Sequence, residues 1–298
     1  MIERLTKCPL CKSGLFLNKQ EIKDHAVTKE SFILCKCSMC SLLFTNPRPD
    51  IESIAPYYDF PEYFSHEDKA KNLTQFIYQK VRNYSVKRKV KQLSKLHTKG
   101  RLLDYGCGTG TLLSEAKNQG WKVSGIEPNK KARTQANLKL KGKVKGNLDD
   151  LSKDKKFNII TLFHVLEHIH EMKKTVKSLI KILNSDGYLL IAVPNPDSWD
   201  AHKYGTFWAG WDVPRHLYHF DTTAMENFAE TFGLSLVEIK PMKFDSYYVS
   251  LLSEGYINPD QNLISRYFKG FFSGRKSNQE AKNKPGNHSS NLFIFKKK

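Results

Sequence analysis

The sequence predicts an α/β fold built on a mostly parallel sheet, with a small cysteine-clamped module ahead of it. Three observations carry that expectation. The short apolar strand Arg101-Leu102-Leu103-Asp104-Tyr105 runs into the glycine-rich turn Gly106-Cys107-Gly108-Thr109-Gly110, and a helix is expected over residues 111–119. A second strand over residues 121–126 ends on an acid, Glu127, about 20 residues after the turn. Two CxxC pairs, Cys8-Pro9-Leu10-Cys11 and Cys37-Ser38-Met39-Cys40, stand about 25 residues apart near the N-terminus.

The 298 residues can hold one α/β domain of about 200 residues and a small accessory module. With 40% hydrophobic and 12% aromatic residues the chain can bury a core, which excludes general disorder. Its longest apolar run, residues 159–165, falls far short of the roughly 20 residues that span a bilayer. Met1-Ile2-Glu3-Arg4 leads straight into the first cysteine pair with no apolar leader core. A cytoplasmic protein with no membrane partner is therefore expected. The net charge of +18 suits nucleic acid. It equally suits lysines scattered on polar helix faces, as in Lys173, Lys174, Lys177 and Lys181 opposite Val176, Leu179, Ile180 and Leu183. Charge alone does not settle the partner.

Each CxxC pair can set two thiolates on one face of a tight turn, and two pairs complete a tetrahedral four-sulfur site. Cys8, Cys11, Cys37 and Cys40 are thus expected to hold a structural zinc. Leu15-Phe16-Leu17 and Ser31-Phe32-Ile33-Leu34 read as the strands of a ribbon between them. A module with so little core takes much of its folding energy from the metal. Its loss, by Cys37→Ser, is expected to unfold the ribbon and spare the rest. Cys35 is a spare thiol.

The organisation expected is a ribbon over residues 1–48, a connector and helix over 49–97, and the α/β domain over 98–298. Within the connector, residues 59–66 are aromatic and irregular, and Leu73–Leu96 has the spacing of an amphipathic helix.

The glycine turn lets the backbone bend sharply and lets a ligand approach a helix N-terminus. An acid at the tip of the next strand can accept hydrogen bonds from ribose hydroxyls. That geometry fits a dinucleotide as well as other adenosine cofactors. A dinucleotide fingerprint would place its third glycine where this chain has Thr111. Instead, Asp104-Tyr105-Gly106-Cys107-Gly108-Thr109-Gly110 resembles the first motif of class I S-adenosylmethionine-dependent methyltransferases. The likeness continues at Gly125-Ile126-Glu127-Pro128-Asn129, at Val144-Lys145-Gly146-Asn147-Leu148, over residues 157–168 and over residues 186–195.

The resemblance implies a Rossmann-like, seven-stranded, mostly parallel sheet whose last strand is antiparallel. Residues 292–295 would be that strand, beside the fifth and paired with a sixth over residues 234–239. Residues 247–254 and 267–272 would be helical, and the polar stretch 272–287 a mobile loop. The resemblance also implies S-adenosylmethionine as cofactor. Gly106 and Gly108, within the motif that Asp104 and Gly110 complete, would lie against its methionine portion. Glu127 would hold the ribose, Asn147 and Leu148 would edge the adenine, and Phe163 would stand beside the cofactor. Cys107 is read as packing.

The segment 204–221 is dense in aromatics and histidines at the edge where substrates bind. His164, Glu167 and His168, if helical, share one face. This resembles a Glu-x-x-Glu-His element of metal-assisted O-methyltransferases, among them ubiquinone-pathway and small-RNA 2′-O-methyltransferases. His164 replaces the first glutamate, and His216 matches a distant histidine that completes the metal site in the small-RNA enzymes. His216 and His164 are the expected catalytic residues. His216 would be a general base, or a ligand of a second divalent metal near His164, Glu167 and His168.

A ribbon followed by this domain is similar to bacterial zinc-ribbon methyltransferases acting on small molecules, including nucleotide-sugars. The expected function is O- or N-methylation of a small polar metabolite or sugar-containing precursor. The alternative is a ribosomal-RNA-type methyltransferase, a family that also couples a four-cysteine ribbon to this domain. A third reading is a non-catalytic adaptor that binds the cofactor. The oligomeric state is not legible.

Overall fold

The computed structural model describes residues 1–58, 73–152, 155–284 and 286–298, and the backbone alone for 73–82. The connector expected over 59–66 lies outside the described residues. Five short strands open the chain: β1 (Ile2–Glu3), β2 (Phe16–Lys23), β3 (Ser31–Cys37), β4 (Leu43–Thr45) and β5 (Arg48–Pro49). β2 and β3 form an antiparallel hairpin running from Phe16↔Cys37 to Lys23↔Ser31, and β4 adds to β3. Its turn is built by Asp24, whose carboxylate accepts from the backbone N–H groups of Ala26, Val27 and Thr28 at 3.0–3.1 Å. Such a side-chain turn is a common use of aspartate.

Helix α1 (Leu73–Leu96) has the bounds its apolar spacing predicts, and its Val90 and Leu93 are buried. Strands and helices then alternate: β6 (Arg101–Tyr105), α2 (Thr111–Asn118), β7 (Lys122–Ile126), α3 (Lys130–Leu140), β8 (Val144–Lys145), β9 (Phe157–Phe163), α4 (Met172–Ile182) and β10 (Leu183–Pro194). α3 starts where the Asn129 side chain accepts from the Ala132 N–H at 3.0 Å, a cap worth about 1 kcal/mol. α4 buries Met172, Val176 and Leu179, and Lys174, Lys177 and Lys181 stay exposed as expected, whereas Lys173 is half-buried. Next come α5 (Trp199–Tyr204), β11 (Tyr218–His219), α6 (Thr222–Thr231), β12 (Leu234–Pro241), α7 (Asp245–Ile257), α8 (Leu263–Glu280) and β13 (Ser290–Lys297).

The main sheet has seven strands in the order β12-β13-β10-β9-β6-β7-β8. β10, β9, β6, β7 and β8 are parallel, and β13 is inserted antiparallel between β10 and β12. This is the Rossmann-like sheet that the sequence led us to expect. Leu189 to Val193 and Leu292 to Phe295 are buried throughout, as befits central strands covered on both faces. The strand order reverses at β6, so a ligand crevice is expected beyond its carboxyl end.

Two expectations need correction. Residues 272–283 are not a loop, since α8 continues to Glu280 and a 3-10 turn follows over Ala281–Asn283. The small residues that suggested a loop, Ser273, Gly274 and Ser277, are buried and continue a packing face that begins at Gly270. His164 to His168 is not a helix either. β9 ends at Phe163, His164 takes a φ of +56°, and only Leu166–His168 forms a 3-10 turn. The ribbon shares a sheet with the chain that follows the main parallel strands. Its sheet, in the order β11-β4-β3-β2, takes its fourth strand from the segment after His216, with Leu43↔His219 and Phe44↔Tyr218 paired.

Candidate active site

The turn after β6 holds Gly106, Gly108 and Gly110 at φ of +77°, +53° and +73°, a region that favours glycine. A side chain at Gly106 would strike Val165, with Cβ to Cγ2 at 2.4 Å. Gly108 instead faces open space, with nothing within 4 Å of where a Cβ would stand. Its N–H donates to Glu127 Oε2 at 2.8 Å, and the Asn129 N–H donates to Oε1 at 2.9 Å. The Glu127 carboxylate is therefore fixed beside the glycine cradle with lone pairs left for two hydroxyls. Asp104, at the end of β6, is buried and accepts from Thr161 Oγ1 at 2.7 Å. Burial raises its carboxyl to about 7 against that hydrogen bond and the nearby charge of Lys89. Lys89, on α1, lays its ammonium 4.3 Å from the centre of the Phe163 ring.

Asn147 and Leu148 follow β8, where Asn147 precedes a 3-10 turn and its N–H donates to Asp150 Oδ2 at 3.1 Å. Asp104, the three glycines, Glu127, Asn147, Leu148 and Phe163 thus all follow or end neighbouring parallel strands. The fold gathers them on one edge of the sheet. The open space at Gly108 and the oriented Glu127 carboxylate fit an adenosine cofactor with a ribose diol.

A second group lies after β9. Glu167 is buried, and among the described residues neither of its carboxylate oxygens has a hydrogen-bond partner. Nδ1 of His168 lies 3.0 Å from the carbonyl of Arg215, and Nδ1 of His216 lies 2.9 Å from that of Gly210. With Nδ1–H donated to a carbonyl, each ring keeps its lone pair on Nε2. Glu167, His168 and His216 each offer a ligand atom, and these atoms lie within 4.8 Å of one another. Burial and the neighbouring histidines push His216 well below the ordinary imidazole range, so it is neutral at physiological pH. His219, from β11, gives Nε2–H to the Trp211 carbonyl at 2.8 Å and leaves Nδ1 buried.

His164 does something different. Its Nε2 lies 2.9 Å from Asp245 Oδ2, and its Nδ1 lies 3.6 Å from Glu167 Oε1. Burial works to lower its pKa, but the two carboxylates prevail and raise it to about 9. A protonated imidazole has no lone pair for a metal.

The ribbon holds the other side of this group. Arg215 is buried between Asp24 of the β2–β3 turn at 2.9 Å and Asp212 at 2.6 Å. Thr45 Oγ1 donates to the His216 carbonyl at 2.9 Å, and Arg48 donates to the Tyr218 hydroxyl at 3.0 Å. The four cysteine sulfurs themselves lie within 4.8 Å of one another, with Cys8–Cys40 and Cys11–Cys37 each at 3.5 Å. That is a donor set compatible with a zinc ribbon. Cys35 stands outside it, near Asn18 Oδ1 at 3.3 Å.

A family model described as a methyltransferase domain matches residues 78–239, more than half of the chain. The chain belongs to that family. With the fold above, it is a class I S-adenosylmethionine-dependent methyltransferase with an N-terminal four-cysteine module. The methyltransferase is 21% identical over 182 residues to the ubiquinone biosynthesis O-methyltransferase of Rickettsia bellii (strain OSU 85-389), covering 56% of this chain and 72% of the relative. It is 34% identical over 101 residues to the protein of that name from Pelagibacter ubique (strain HTCC1062), covering 32% and 42%. Among solved structures it is similar to the magnesium protoporphyrin IX methyltransferase of Synechocystis PCC 6803, with a TM-score of 0.49, 14% identity, and coverage of 78% and 90%.

Sequence reasoning missed four residues at this edge of the methyltransferase. Asp245 and Lys89 come from helices distant in sequence and carried no local signal. Asp24 stands in a turn that read only as part of the ribbon. His219 was visible in the aromatic segment, and its place three residues after His216 was the available signal.

Replacing Glu127 by alanine should lower S-adenosylmethionine affinity by at least about tenfold, because charge-assisted bonds contribute roughly 1.5–3 kcal/mol each. Calorimetry on the folded variant checks this, and unchanged affinity would mean that the ribose is held elsewhere.

Proposed function

We propose that this methyltransferase methylates an oxygen or nitrogen of a small polar metabolite or sugar-containing precursor, with a divalent cation held by Glu167, His168 and His216. The carrying observation is the buried Glu167 carboxylate, which lacks a hydrogen-bond partner among the described residues, has His164 Nδ1 3.6 Å from Oε1, and is grouped with two imidazoles whose Nδ1 atoms are tied to carbonyls. Histidines oriented in this way are the usual mark of metal ligands, and a buried carboxylate with unfilled hydrogen-bonding capacity is a fitting third donor beside them. Bound there, the cation would lower the pKa of an acceptor hydroxyl. His216 then acts as a ligand and not as the base. His164, kept cationic by Asp245 and Glu167, is a positioning group for Glu167 rather than a fourth ligand.

On the cofactor side, Asp104, Gly106, Gly108, Gly110, Glu127, Asn147, Leu148 and Phe163 would line S-adenosylmethionine, which supplies an activated methyl group. The glycine cradle and Glu127 orient that group, and in-line transfer gains most from such positioning. Cys8, Cys11, Cys37 and Cys40 would hold a structural zinc. Residues 1–48, 49–97 and 98–298 serve as the working division of the chain, and a cytoplasmic location is part of this reading. The names of the Rickettsia and Pelagibacter relatives support O-methylation. No helix among the described residues is long and apolar enough to cross a membrane.

The test is incubation of the protein with methyl-labelled S-adenosylmethionine and a fractionated cell extract. Label in the small-molecule fraction is the expected result. Label in RNA would favour the ribosomal-RNA-type alternative, and cofactor binding with no transfer would favour an adaptor.

A further inference from the structure

Helix α8 is turned inside out relative to an ordinary surface helix. Its buried face consists of Gly270, Ser273, Gly274 and Ser277, with Ser246 Oγ of α7 donating to the Gly274 carbonyl at 3.1 Å and Ser277 Oγ donating to Asp200 Oδ1 of α5 at 2.6 Å. The α7 and α8 backbones approach closely: a Cβ on Gly270 would stand 2.8 Å from Leu251 Cα, and one on Gly274 would stand 2.7 Å from Tyr247 Cα. Small residues bringing helix backbones together are typical of packing where apolar side chains are wanted outside. The outer face carries Leu263, Ile264, Tyr267, Phe268, Phe271 and Phe272, each between 46% and 67% exposed. At 100° per residue they span one half of the helix surface. A contiguous exposed apolar face of this size marks an interaction site.

The charges around it select the occupant. Lys269, Arg275 and Lys276 are exposed on the same helix, and Lys243, Lys282 and Lys284 are exposed at its borders. Between Leu263 and Gln279 the helix carries no acid. A second copy docking through this face would set these cations against each other on a chain of net charge +18. An apolar, aromatic face rimmed by lysine and arginine is instead the pattern of a helix lying in a membrane interface. Phe and Tyr enter the acyl boundary while the cations meet anionic headgroups.

We propose that the α7–α8 hairpin docks the protein peripherally on an anionic lipid surface through the Leu263, Ile264, Tyr267, Phe268, Phe271 and Phe272 face. The sequence led us to expect no membrane partner, because only spanning segments were sought. Residues 267–272 were expected to be helical, but the loop expected over 272–287 hid how far the helix runs. The surface lies close to the site, because Asp245, which pairs with His164, opens α7.

The test is flotation of the full chain with vesicles of phosphatidylcholine alone or mixed equally with phosphatidylglycerol. Binding to the mixed vesicles is expected, weakening as salt rises. F268Q/F271Q/F272Q should lower the bound fraction at least about tenfold, and K269E/R275E/K276E should do the same on mixed vesicles. Both variants change exposed side chains, and unchanged thermal melting confirms that each is folded. Equal binding of wild type and the folded triple-glutamine variant would overturn the proposal, as would absence of binding to mixed vesicles. So would a wild-type dimer in sedimentation that the same variant dissolves, since that would make this face a contact between copies.

Discussion

Replacing Glu167 by glutamine is expected to lower turnover by about 10²–10⁴-fold while S-adenosylmethionine affinity changes little. The glycine turn, Glu127, Asn147 and Leu148 follow β6, β7 and β8, whereas Glu167 sits after β9, where we propose that the acceptor is bound. Glutamine keeps the shape and removes the negative charge, so it should also weaken binding of a divalent ion by roughly 10–100-fold or more. A merely structural role predicts a different pattern. If Glu167 served only the fold, the substitution would lower the melting temperature and affect activity in proportion. If Glu167 instead holds a cation, turnover should fall far more than stability, which loses only the 3.6 Å ion pair with His164. Thermal melting in chelator alongside steady-state kinetics separates the two.

The second large effect is expected from Cys37→Ser. It should release the zinc that we propose for the ribbon and cost much of the folding energy of β2, β3 and β4. The damage should travel. β4 pairs with β11 at Leu43↔His219 and Phe44↔Tyr218, Thr45 holds the His216 carbonyl, and Asp24 holds the Arg215 guanidinium. Displacing His216 by even 1 Å is the kind of error that lowers rates about 10²-fold. Turnover should therefore fall at least that far, with S-adenosylmethionine affinity close to wild type. Full activity in a protein shown to lack zinc would mean that β11 stays in place without the ribbon.

The parts of this protein legible in sequence are those carried by local pattern. The Gly106-Gly108-Gly110 turn and Glu127 were readable because a tight turn and an acid at a strand tip each impose a residue type at a fixed spacing. The Leu73–Leu96 helix and the alternation of strands were readable from period. The inserted strand β13 was reached only through family resemblance, since antiparallel insertion leaves no mark in Leu292 to Phe295.

What failed did so for physical reasons. His164, Glu167 and His168 converge, but through a positive φ at His164 and a 3-10 turn. A helical spacing argument named Glu167 and His168, which do stand together, but by a different local geometry, and it gave no sign of the ion pair between His164 and Asp245. Gly274 and its serine neighbours Ser273 and Ser277 were read as flexible because composition cannot distinguish a loop from a face for close helix contact. The bond between Asp24 and Arg215 spans most of the chain, and no local pattern announces it.

The central claim is that methyl transfer takes place beside a divalent cation held by Glu167, His168 and His216. Its most direct test is methyl transfer from labelled S-adenosylmethionine by protein stripped of loosely held metal but retaining the ribbon's zinc, as Mg²⁺, Mn²⁺ or Zn²⁺ is added back. The account predicts little turnover at the start, saturable recovery with one of these ions, and one ion bound per chain beyond the zinc of the four cysteines. Full turnover in the stripped protein, with no second ion bound, would contradict it.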